Sequence, residues 1–102
     1  MTIYELLTSD EDFNLPVAYG YHSTEQHLPY ICLMGAGQNT FAGDDTFIYK
    51  KDRTQIELYF KKKNPAIEQA LESLLLENGY LYEKSEDVYI EDEDVFMIYY
   101  DV

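Results

Sequence analysis

The residues of this chain that could do chemistry are few, and their spacing is poor for it. A single cysteine, Cys32, excludes an intramolecular disulfide and a cysteine-based zinc site. His22 and His27 are five positions apart, a spacing that suits neither a helix face nor a strand face as a metal site. A cysteine–histidine nucleophile needs the two side chains to meet, and the predicted strand position of Cys32 favours a packed, inert thiol.

Two further segments resemble binding loops only in part. Residues 35–40 begin like a dinucleotide-binding loop, but Thr40 stands where the third glycine belongs and no helix follows. The acidic run at residues 91–94 has the charge of a calcium loop but lacks the alternating ligands and the glycine of an EF-hand. We therefore predict that the protein is not an enzyme and that it uses no cofactor and no metal.

Charge is segregated along the chain. The net charge is −13, yet six of the seven basic residues fall within residues 50–63, while seven carboxylates crowd residues 83–94. So negative a domain repels nucleic acid, whereas opposite charges on separate segments allow copies to attract one another. We predict an assembly protein in which basic residues meet an acidic run of a neighbouring subunit, or, alternatively, in which the two segments lie side by side within one subunit. The predicted interface residues are Lys50, Lys51, Arg53, Lys61, Lys62, Lys63, Glu91, Asp92, Glu93 and Asp94.

Two helices are predicted from their end signals. Thr2 and Glu5 have capping-box spacing, and the short helix that they begin ends near Ser9. The long helix runs from Pro65 to about residue 78, after the N-cap Asn64 and before a glycine at position 79. Its core stripe is predicted to contain Ile67, Ala70, Leu71, Leu74 and Leu75, with Glu68, Gln69 and Glu72 on the opposite, polar face.

Strands are predicted for most of the remaining chain, at residues 16–21, 29–34, 46–50, 54–62, 80–83, 88–90 and 95–102, with a hairpin turn at Lys51 and Asp52. Residues 35–45 are rich in Gly, Asn and Asp and are predicted to form a loop. The fold class is α+β, a single domain with a mainly antiparallel sheet and one long and one short helix packed on one side. The predicted loop is a candidate docking site for a partner through Gly35, Gly37, Asn39, Phe41, Asp44 and Asp45.

Several motifs give the chain a family resemblance. They lie at residues 16–20, 29–35, 41–45, 55–59, 61–63 and 82–86, so that the resemblance covers about residues 16–102. Together they resemble the siphophage tail terminator or tail completion proteins of Gram-positive phages and prophages, also described as minor capsid or head–tail joining proteins. The chain departs from the pattern at residues 43–45, where Gly-Asp-Asp replaces Ala-Asp-Asn.

The resemblance implies an α+β sandwich that assembles into a ring, typically a hexamer, on the end of the phage tail. Such a ring caps the tail tube, ends its polymerisation and presents the surface that docks the filled head. The implied partners are other copies of the chain, the major tail tube protein and a head–tail connector or stopper protein, while DNA passes through without specific binding. The implied location is the virion, after assembly in the host cytoplasm, with no membrane contact and no catalytic or cofactor-binding residues.

Two other functions fit the composition. A head-side stopper or connector adaptor would have the same size and fold class. An acidic inhibitor that mimics DNA would have the same net charge, but it needs carboxylates spread over an exposed surface like phosphates.

Overall fold

The computed structural model describes residues 2–22, 26–42 and 48–102. Within these ranges, two helices and six strands follow one another. The helices are α1 (Ile3–Ser9) and α2 (Pro65–Glu77). The strands are β1 (Val17–Tyr19), β2 (Tyr30–Ala42), β3 (Ile48–Phe60), β4 (Glu83–Lys84), β5 (Val88–Ile90) and β6 (Val95–Asp101).

One sheet contains all six strands, in the order β1-β2-β3-β6-β4, with β5 also paired to β6. Every pairing is antiparallel except that of β1 with β2, which is parallel. The predicted α+β class, with a mainly antiparallel sheet and one long and one short helix, is confirmed.

Both helices begin where their end signals predict. Thr2 and Glu5 form the capping box of α1, in which each side chain accepts a hydrogen bond from the other residue's backbone N–H. Asn64 caps α2, and Pro65 occupies its first turn. After the helix, Gly79 has φ of +83°, the left-handed conformation that a helix C-terminus favours and that glycine adopts without strain.

The core lies between the two helices and one face of the sheet. On β3, Ile56, Leu58 and Phe60 alternate with half-buried polar residues, as the period of two predicts. These three residues belong to a single buried cluster of fifteen residues. The other members are Ile3, Leu6, Leu7, Phe13, Ile31, Leu33, Leu71, Leu74, Leu75, Ile98, Tyr100 and Val102.

The centre of the chain differs most from the prediction. Lys51 and Asp52 do not form a turn, because both lie inside the continuous strand β3, opposite Asn39 and Gln38 of β2. The predicted loop is also wrong over residues 35–42, which belong to β2. Cross-strand hydrogen bonds satisfy the backbone of this segment whatever its side chains, so pairing overrides local turn preferences. Asp44 and Asp45 lie outside the described residues, as do residues 43–47 as a whole.

Two smaller corrections concern the C-terminal half. Of the strand predicted at residues 80–83 only Glu83 is in a strand, as the first residue of the two-residue β4, Glu83–Lys84. The polar face predicted for α2 is wrong at Glu68, which is only 4% exposed, and Ala70 of the predicted core stripe is exposed. The helix is therefore rotated so that one carboxylate points inward.

The pairing of β2 with β3 creates a projection from the sheet. β1 pairs with β2 only over residues 31–33, and β6 pairs with β3 only over residues 55–60. Beyond a bulge between Gly35 and Gln38, residues 38–42 and 48–52 pair with each other and, within the described chain, with no third strand. We call these two segments the hairpin arm; the molecule measures 51 Å along its longest axis and 30 and 26 Å along the others.

Candidate assembly surface

The hairpin arm unites two sets of residues that the sequence predicted on separate elements. Lys50 and Lys51 lie on β3 directly opposite Thr40 and Asn39 of β2. Gly37, with φ of +94°, sits in the bulge at which the arm leaves the sheet, a backbone conformation that favours glycine. Lys50 and Lys51 of the basic segment therefore lie in one structural unit with Asn39 and Phe41 of the candidate docking segment.

The outer end of the arm exposes apolar side chains. Ile48 is 72% exposed and Phe41 is 51% exposed. They belong to adjacent cross-strand pairs, Ala42 with Ile48 and Phe41 with Tyr49, so they point to opposite faces of the two-stranded ribbon. Phe41 borders an open cavity between the arm and the segment around Leu81, whereas Ile48 lies on the other face. Because an isolated two-stranded hairpin is marginal in water, a surface that covered this end of the arm would stabilise it.

The base of the arm is fixed to the sheet. Arg53 donates to the carboxylate of Asp101 on β6, and this hydrogen bond raises the pKa of the arginine. Gln38 donates to the Asp52 carboxylate at 2.7 Å across the arm. By contrast, Lys50 and Lys51 are exposed and form no ion pair with any described residue.

The basic residues at the end of β3 meet the acidic residues 83–94 of the same chain. The Lys61 ammonium pairs with the Asp94 carboxylate and donates to the Asp94 carbonyl at 2.7 Å. Lys63 pairs with Asp87 at 3.0 Å. The intrasubunit alternative is therefore confirmed for these two lysines, while Glu91, Asp92 and Glu93 are exposed in the turn between β5 and β6. Their contact with a neighbouring subunit stays a prediction.

An ion network that the sequence analysis missed lies beneath α2. The nearly buried carboxylate of Glu68 accepts from Lys63 at 2.8 Å and from Lys84 at 2.9 Å. Lys84 also donates to Glu72 at 2.8 Å, and Tyr100 donates to the same Glu72 oxygen at 2.7 Å. The signal in the sequence was the i, i+4 spacing of the two glutamates together with Lys84, the one basic residue outside the 50–63 cluster.

The pKa shifts in this network favour the charged forms of Glu72 and Lys84. Burial disfavours the charged form of Glu72, but hydrogen bonds from Lys84 and Tyr100 outweigh it and lower its pKa. Partial burial likewise opposes the charge of Lys84, but its hydrogen bonds to Glu72 and Glu68 raise its pKa. Both groups are thus held charged and paired, an arrangement that joins α2 to β4 and β6.

The remaining candidates for chemistry are occupied or isolated. Cys32 is buried on β2, and burial raises the pKa of its thiol, so it is a poor nucleophile at neutral pH. The His22 Nε2 atom lies 3.0 Å from the Ile31 carbonyl oxygen, and its ring packs edge-on against Tyr30. Among the described residues there is no cluster of three histidine, cysteine, aspartate or glutamate side chains that could hold a metal ion.

A groove lies at the opposite end of β3 from the arm. It encloses about 400 Å³ between the segment before β2, the end of β3 and the first turn of α2. Its apolar walls include Leu28, Pro29, Phe60 and Ile67, and three consecutive lysines line it as well. Lys61 and Lys63 have the partners described above, but Lys62 is exposed and has no ion-pair partner in the described chain. We call this the lysine-rimmed groove; its lysines are Lys61, Lys62 and Lys63.

The sheet face away from the helices is rich in half-buried aromatic residues. Tyr30 and Tyr59 stack with ring centroids 5.1 Å apart on neighbouring strands, and Tyr99 lies on the same face of β6. Tyr59 donates to Glu57 at 3.0 Å, and burial is the largest cause of its raised pKa. This face therefore combines apolar area with hydroxyl groups, as protein interfaces do.

No protein-family model matches the chain, and no curated protein matches it. In the described residues no helix is long and apolar enough to cross a membrane.

Proposed function

We propose that the protein is a phage structural subunit that caps the tail tube as a ring. In this role it ends tail polymerisation and forms the interface that joins the tail to the filled head. Its partners are other copies of the chain, the major tail tube protein and a head-side connector or stopper protein. It carries out no catalysis.

The observation that carries this proposal is the hairpin arm. A two-stranded ribbon with exposed Phe41 and Ile48 at its end gains stability when another surface covers it. A subunit that contacts its neighbours in a ring can use such a projection to reach them. The family resemblance and the α+β fold with helices on one side of the sheet support the same role.

The distribution of charge also supports it. Between residues 38 and 52 two basic residues nearly offset three acidic ones, so −12 of the net charge of −13 belongs to the rest of the chain. A ring of such subunits would surround its centre with negative charge, which repels the DNA backbone and lets a genome pass without sticking. The arm, which is close to neutral, can approach a neighbouring subunit without the full cost of like-charge repulsion.

The test is electron microscopy of induced lysates from the source phage or prophage with this gene deleted, with a plasmid-borne copy as the complementation control. We expect filled heads beside detached tails of irregular and excessive length, because nothing then ends tail polymerisation. Detached tails of normal length with emptied heads would instead assign the protein to the head side of the joint. Intact virions would overturn a structural role.

A further inference from the structure

The arm end and the lysine-rimmed groove are chemically complementary. The arm end presents Ile48 on one face of the ribbon and Phe41 on the other. A flat surface can cover only one face of a ribbon, whereas a groove with two walls can cover both. The groove has apolar walls on both sides, formed by Leu28 and Pro29 on one element and by Ile67 on another.

Charge follows the same complementarity. In the sequence, Asp44 is three residues from Phe41 and Asp45 is three residues from Ile48. At the groove, Lys62 has no ion-pair partner in the described part of the chain. An unpaired ammonium beside an apolar cavity is suited to an apolar ligand that carries negative charge next to it.

We infer that the arm end of one copy docks in the lysine-rimmed groove of a second copy of this chain. The residues that line the groove include none from the arm described here, so one subunit does not fill its own groove. The volume of about 400 Å³ falls within the range of roughly 300–1,000 Å³ typical of binding pockets.

The contact has a consequence for symmetry. The arm end and the groove are different surfaces, so the interface is heterologous and passes from each copy to the next. Such a contact closes into a ring when the rotation between copies permits it. The biological meaning of this contact rests on the proposed function, and the contact specifies how one subunit of the ring binds the next.

Photo-cross-linking tests the contact directly. The variant Ile48→p-benzoylphenylalanine is mixed at high concentration with unmodified, ¹⁵N-labelled protein, irradiated and digested for mass spectrometry. We expect cross-links between the probe and labelled peptides that contain Pro29 or residues 61–67. A second probe, Thr40→p-benzoylphenylalanine, leaves both apolar side chains of the arm end in place and should reach the same peptides.

Matched variants separate this contact from general attraction. Lys62→Glu should lower the cross-link yield about fivefold or more, because it replaces attraction by repulsion at the groove. Gln69→Glu adds negative charge to an exposed position of α2 outside both the arm and the groove lining, and it should leave the yield unchanged. Phe41→Ala should lower the yield from the Thr40 probe about tenfold, since an apolar anchor is lost, whereas Leu76→Ala, another exposed apolar truncation, should not.

Three results would overturn the inference: cross-links only within one chain, cross-links to another surface of the second copy, or none at all. The outcome is independent of the deletion phenotype. Over-long tails without the groove cross-link would support the proposed function and refute the contact. The groove cross-link without over-long tails would support the contact and refute the proposed function.

Discussion

Replacement of Lys84 by methionine tests whether the ion network beneath α2 holds the fold together. Lys84 donates to Glu68 at 2.9 Å and to Glu72 at 2.8 Å, so a single substitution removes two ion pairs. Methionine retains an apolar stem of similar length and can still cover the Tyr100 ring, over which the ammonium lies at 5.7 Å from the centroid. The substitution therefore removes charge and hydrogen bonds with little loss of packing.

The magnitude follows from the burial of each partner. Removal of one partner of a fully buried ion pair costs about 3–5 kcal/mol, whereas an exposed pair contributes about 0–1 kcal/mol. The Glu68 side chain is 6% exposed, but Lys84 itself is 35% exposed and Lys63 still pairs with Glu68 after the change. We therefore expect the free energy of unfolding to fall by about 2 kcal/mol, between the two limits.

The assay is urea unfolding at neutral pH, followed by circular dichroism. Lys51→Met is the matched control, because Lys51 is exposed and forms no ion pair with a described residue; its midpoint should move little. If Lys84→Met and Lys51→Met destabilise the protein equally, the network contributes nothing beyond surface charge and the reasoning from burial is wrong.

Three further predictions concern the same regions. Tyr100→Phe should lower the free energy of unfolding by about 1.5–3 kcal/mol in urea melts, because it removes the hydrogen bond from the buried Tyr100 hydroxyl to the Glu72 carboxylate. Tyr82→Phe is the control: the Tyr82 hydroxyl lies 3.3 Å from Glu72, so its loss should lower the free energy of unfolding clearly less. Because the folded state lowers the pKa of Glu72, its carboxylate contributes stability above the ordinary pKa of about 4.3, and this contribution is lost as the pH falls through the folded-state pKa. An acid titration of unfolding in which Glu72→Gln shows the same pH dependence as the parent protein would contradict this. Gly79→Ala should cost about 1 kcal/mol in thermal melts despite open space around it, because its φ is positive, and no loss would show that the helix end relaxes.

The bounds of α2 were predictable because its end signals are local. Asn64, Pro65 and Gly79 act through their own backbone geometry and through neighbours within one turn. The alternation of Ile56, Leu58 and Phe60 likewise predicted which face of β3 is buried, since the period of a strand does not depend on its partners. These features needed no knowledge of the tertiary structure.

The hairpin arm could not be predicted in the same way. Residues 35–42 have the composition of a loop, and Lys51 and Asp52 resemble a turn, so local preference indicated two breaks. The two segments pair with each other across more than ten residues of sequence, with Asn39 opposite Lys51, and this pairing satisfies the backbone hydrogen-bonding groups of both. Strand pairing depends on long-range contacts, and for that reason the candidate docking segment and the basic segment were not recognised as one unit.

The charges show the same division. The sequence by itself determined the net charge of −13, its segregation along the chain and the presence of a single cysteine and two histidines. Only the tertiary structure decided which charges meet: Lys61 lies against Asp94, Lys63 and Lys84 enclose Glu68, and Lys62 stays without an ion-pair partner among the described residues. Order along the chain fixes how many charges a segment has, but packing fixes which of them are desolvated and paired, and pairing determines which surface is left for a partner.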